Sequence, residues 1–143
     1  MAQPTEILVN DGGAPARIMN LAPANAAIEA GMFVEINSSG KIIADADDQE
    51  AGSSGQKTSL GVLLADCVAD GPTSIITGRG VVCHVQAAEA ITCGHELTVD
   101  NAGKVEPTAD ADTHRVVGKA LAASFNGTDS GGNTTVFVKA LLI

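Results

Sequence analysis

The chain has 143 residues, 45% of them apolar, yet it holds three Phe and no Trp or Tyr, so a core must come from Val, Ile, Leu and Ala. That length suits one compact domain, which can bury a core without disulfides or metals. Eight basic residues against 17 acidic give a formal charge of -9, which argues against a direct grip on nucleic acid or on anionic lipid.

Residues 1–26 carry turn signals at Asp11, Gly12, Gly13, Pro15 and Pro23. Their apolar residues (Ile7, Leu8, Val9, Ile18, Met19, Leu21) are too scattered to close a core. The segment reads either as one extra strand or as an extended N-terminal arm that packs on a partner, with Ile18 and Met19 as candidate contacts. A turn at Ala27 to Gly31 then enters a strand in which Val34 and Ile36 alternate with polar positions, the period of a half-buried strand. Ser38, Ser39 and Gly40 make a hairpin turn, and Lys41, Ile42 and Ile43 return from it. An acidic loop follows, and the strand after it carries Gly61 where a Cβ would crowd a neighbouring backbone. Ser74 to Thr77 forms the next strand. Gly78, Arg79 and Gly80 then lead into Val81 to Val85, where Val81, Cys83 and Val85 share one face and Val82 and His84 the other.

The rest of the chain repeats this order. Ala27, Ile28, Gly31, Gly40, Lys41, Ala46 and Asp47 recur as Ala90, Ile91, Gly94, Gly103, Lys104, Ala109 and Asp110, each 63 positions on. Val34, Ile36 and Ile42 recur as Leu97, Val99 and Val105. The segment from Leu60 is answered by that from Val117 at an offset of 57, and Ile75 to Thr77 by Val136 to Val138 at 61. The sequence thus predicts an all-β domain over 27–143, with an internally duplicated β unit (27–82 and 90–143) after the 1–26 segment. One sandwich, a small barrel and two lobes all remain compatible with it.

Residues that could carry chemistry give little. No charged segment precedes an apolar leader and no apolar run is of membrane-spanning length, so synthesis in a cytoplasm is expected, with Cys67, Cys83 and Cys93 as free thiols. Cys83 and His84 point to opposite faces of a strand, which argues against a shared metal or a nucleophile–base pair, and no C-x-x-C spacing supports zinc near Cys93 and His95. The Asp45, Asp47, Asp48, Glu50 loop lacks the Gly and the terminal Glu of a calcium-binding EF-hand. No nucleophile elbow is present, and Gly78–Gly80 precedes a strand rather than the helix a phosphate cradle needs. The expectation is a non-enzyme without cofactors that works by packing against other proteins.

Taken in order, several segments resemble the capsid cement (head decoration) proteins of tailed double-stranded DNA bacteriophages. They are Ala30 to Val34, Leu60 to Ala65, Ala69 to Gly71, Thr77 to Val82, Ala90 to Leu97, Asn101 to Val105, Val117 to Leu121 and Val136 to Val138, and the resemblance spans about residues 28–140. The resemblance implies a small all-β virion protein on the outer capsid surface. It would bridge adjacent major capsid protein subunits as a homo-oligomer, often a trimer, with a dimer as the alternative, and without direct contact to nucleic acid or membrane. The rival expectation is a virion-displayed module that attaches to host glycans, against which the lack of Trp and Tyr counts. Phe33 and Phe137 alternate out of register with Val34 and Ile36 and with Val136 and Val138. They are either exposed interface anchors or the second buried face of a two-layer sandwich. Arg79 completes the candidate interface by reaching an acidic neighbour.

Overall fold

The computed structural model describes residues 3–10, 12–45, 59–100, 102–108 and 115–143. Among these the regular elements are strands: β1 Arg17–Met19, β2 Phe33–Ile36, β3 Ile42–Ala44, β4 Gly61–Leu63, β5 Ile75–Thr77, β6 Val82–Gln86, β7 Glu96–Val99, β8 Val105–Pro107, β9 Gly118–Ala120, β10 Phe125–Thr128 and β11 Thr134–Leu142. They form two antiparallel sheets, an all-β architecture consistent with a β-sandwich.

Turn chemistry sets the hairpins. The Asn37 side-chain oxygen accepts the backbone N–H groups of Ser39 (3.0 Å) and Lys41 (2.9 Å), and Gly40 closes the turn at φ +78°. Asp100 does the same for Ala102 (2.8 Å) and Lys104 (3.0 Å), and Gly103 also lies at +78°. A short acceptor at the first position holds the bend, and glycine takes the left-handed conformation without steric cost.

Pairing is repeated between the sheets. The first runs β1-β5-β4-β2-β3 and the second β10-β11-β9-β7-β8, with β6 on the other side of β11. Val34 opposite Ala44 is matched by Leu97 opposite Pro107, and Val34 opposite Gly61 by Leu97 opposite Gly118. Gly61 stands where a Cβ would run into the Ile76 carbonyl oxygen, and at Gly118 the obstacle is the Leu141 oxygen at 2.9 Å. The last matching strand differs from the sequence alignment. Leu63 pairs Ile75 and Ala120 pairs Ala140, so the equivalence runs at 65 rather than 61. It also extends back to β1: Ile18 pairs Ile76 as Val82 pairs Leu141, which makes β1 the counterpart of β6 at an offset of 64.

Of the first 26 residues, which the sequence reads as a strand or an extended arm, several stretches pack on the body. β1 pairs β5, Ala24 is fully buried beside Ile42, and residues 7–10 run along β6. There the His84 N–H donates to the Ile7 carbonyl (2.8 Å) and the Asn10 N–H to that of Val82 (2.8 Å). Two apolar clusters result. Ala24, Ile28, Val34, Ile42, Leu63, Cys67 and Ile75 fill one face of the first sheet. The larger cluster joins Phe33, Val62 and Ile76 from that sheet to Val85, Leu97, Val105, Val138 and Ala140 of the second.

Candidate functional site

The structure separates the five residues expected at an interface. Phe33 and Phe137 are 3% and 1% exposed, so neither is a surface anchor on this chain. The reason is that β2 is covered on both sides. Val34 faces the smaller cluster and Phe33 the larger one, which the second sheet completes. Phe137 alternates with Val138 and Ala140 along β11 and belongs to the same larger cluster, with Gly31 and Gly127 close against its ring. Ile36, expected to point inward with Val34, lies beside the hairpin turn and is 42% exposed.

Ile18 and Met19 lie on β1, and Arg79 lies in the turn that follows its partner strand β5. β1 ends the first sheet, so one of its edges carries no neighbouring strand among the described residues. Ile18 is 47% exposed on it, Met19 is half-buried, and Arg17 is exposed. Arg17 lies opposite Thr77, and the turn after Thr77 presents the exposed Arg79. The turn borders a cleft of about 200 Å³, whose lining includes Phe33, Ile76, Val117 and Leu142 together with Arg79 and Arg115. The three arginines of an otherwise acidic chain therefore stand around one end of the first sheet.

Sequence reasoning passed over Leu21, 46% exposed just past β1, and Phe125, 39% exposed. Phe125 stacks on Phe137 (ring centroids 6.2 Å) and meets the His84 ring edge-on at 5.1 Å. Its signal was a single Phe in a polar stretch, Asn126 to Asp129, that matches nothing in the first half. The thiols do not assemble a reactive centre: Cys83 is fully buried and burial pushes it up to about 12, while Cys67 is raised by the same cause. Among the described residues no group of His, Cys, Asp and Glu has the arrangement of a metal site. His84 Nδ1 lies 2.7 Å from the Glu6 carbonyl oxygen and so holds the N-terminal segment. His114 and most of the acidic loop after Asp45 fall outside the described residues.

A family model described as phage cement protein matches residues 14–139. Among solved structures, the chain is similar to the head fiber gp8.5 N base of bacteriophage phi29, with 19% identity and a TM-score of 0.60 over 90% of this chain and 99% of that one. At that identity the likeness concerns the fold. No curated protein matches the sequence.

Proposed function

The chain belongs to the phage cement protein family, a structural component of the bacteriophage virion associated with the capsid, and on that premise we propose that it binds the outer capsid surface and stabilises the shell by bridging adjacent major capsid protein subunits. The observation that carries this reading is the β1 edge, where Ile18 is exposed next to Arg17, with Arg79 in the turn beyond Thr77 at the same end and Leu21 exposed past the other end. Apolar contact flanked by arginine is the composition of an interface centre. The net charge of -9 favours the side of the shell away from packaged DNA. Individual contacts of ~5–8 kcal/mol correspond to millimolar-to-micromolar affinity. A homo-oligomer, a trimer in this reading, makes several at once and holds far more tightly.

The test uses expanded capsids that lack the protein. Adding the purified chain should give saturable co-sedimentation and raise the temperature at which the shells release DNA. Shells equally stable with and without bound chain would sink the bridging role, and native mass measurement of the free chain checks the oligomer. Binding to host glycans in place of capsids would favour the rival adhesion reading.

A further inference from the structure

The two sheets share a strand order, but their outer edges are treated differently. On β6 the backbone groups of Val82 and His84 point away from β11 and are taken up by residues 7–10, an extended segment running antiparallel. That segment and Gly13 also cover the Val82 side chain, which is 3% exposed. β1 occupies the equivalent place, with Ile18 for Val82 and Asn20 for His84. By that register the Ile18 carbonyl and the Asn20 N–H point outward. Among the described residues neither has a backbone partner, and Ile18 is 47% exposed.

We propose that the β1 edge takes an extended segment of a capsid subunit as an added antiparallel strand, acidic at the end that meets Arg17 and Arg79. This rests on the capsid-binding reading above and names the contact that would serve it. Strand addition uses main-chain hydrogen bonds for affinity and alternate side chains for specificity. Here the hydrogen bonds would run to Ile18 and Asn20, and an apolar side chain of the added strand would lie over Ile18. The two arginines give the charge complement. A second copy of this chain is disfavoured as the occupant. Its own edge-seeking segment is already spent on β6, with Ile7 only 6% exposed.

The experiment compares the full chain free and bound to expanded capsids, by amide hydrogen exchange and co-sedimentation. Asn20 should exchange at least about tenfold more slowly in the complex, the protection expected of a paired strand. Ile18→Lys should weaken capsid binding by about tenfold or more, whereas Val68→Asp, at a site 69% exposed on another loop, should leave it within about twofold. Capsid binding with Asn20 exchange unchanged and Ile18→Lys neutral overturns the edge proposal and leaves the capsid reading intact. Absence of capsid binding overturns both. Protection of Asn20 in the free chain that grows with its concentration assigns the edge to a second copy and also overturns the proposal.

Discussion

Replacing Phe33 with Ala distinguishes a core residue from a surface anchor by a measurable amount. Phe33 is 3% exposed and packs in the larger cluster between the sheets. A buried Phe removes about 200 Å² from water, worth ~5 kcal/mol at about 25 cal/mol/Å². Ala retains part of that area and the neighbours relax partly into the gap, so a loss of about 3–4 kcal/mol is expected. For a domain of this length that is a fall of roughly 10 °C in Tm. The assay is urea unfolding of the isolated chain, with the slope m watched for constancy. Ile18→Ala, at a site 47% exposed, serves as the comparison and should move stability by no more than about 0.5 kcal/mol. A loss under about 1 kcal/mol for Phe33→Ala, accompanied by lost capsid binding, would refute the burial argument and return Phe33 to the surface.

The two hairpin glycines separate backbone strain from collision. Gly40→Ala meets nothing within 4 Å and should cost only the left-handed penalty of about 1 kcal/mol, whereas a Cβ on Gly103 meets the Phe33 carbonyl at 2.8 Å and should cost clearly more. Equal losses in thermal unfolding would contradict this. The fully buried Cys83 thiol, pushed up to about 12, keeps its proton far longer than it would unfolded, where thiols lose it near ~8.5. Stability from this source is complete below that lower value. It falls as pH rises toward about 12, by at most ~1.4 kcal/mol per pH unit. Cys83→Ala should flatten that part of the stability–pH profile, and an unchanged profile would show that the thiol is not the cause.

How far the sequence could be read depended on whether a feature is local. The hairpins were legible because Asn37 to Gly40 and Asp100 to Gly103 hold their own bends, and the Gly61 crowding was legible from its place in a strand. Phe33 was not settled, because period two tells which residues share a face and not which faces another sheet covers. β10 was missed because Phe125 to Thr128 shows no alternation. The last pairing was misplaced by four positions because Val136–Val138 look like Ile75–Thr77, while the nine-residue β11 presents its later part to β9. At the candidate surface, Ile18 and Arg79 stood out by type. That β1 ends a sheet depends on pairings sixty residues away, which no local pattern reports.

One contact between the halves has a mechanical implication. The Gly103 carbonyl accepts the Phe33 N–H (2.8 Å), its own N–H donates to Asp45 (2.8 Å), and Asp45 donates to Phe33 (3.0 Å). The hairpin tip of one half is thus stitched into the strand roots of the other. Under an applied pull, neither half can peel away without tearing its neighbour's hydrogen bonds. Force applied at one edge is shared by both sheets, so the body should yield in a single rupture rather than unravel strand by strand.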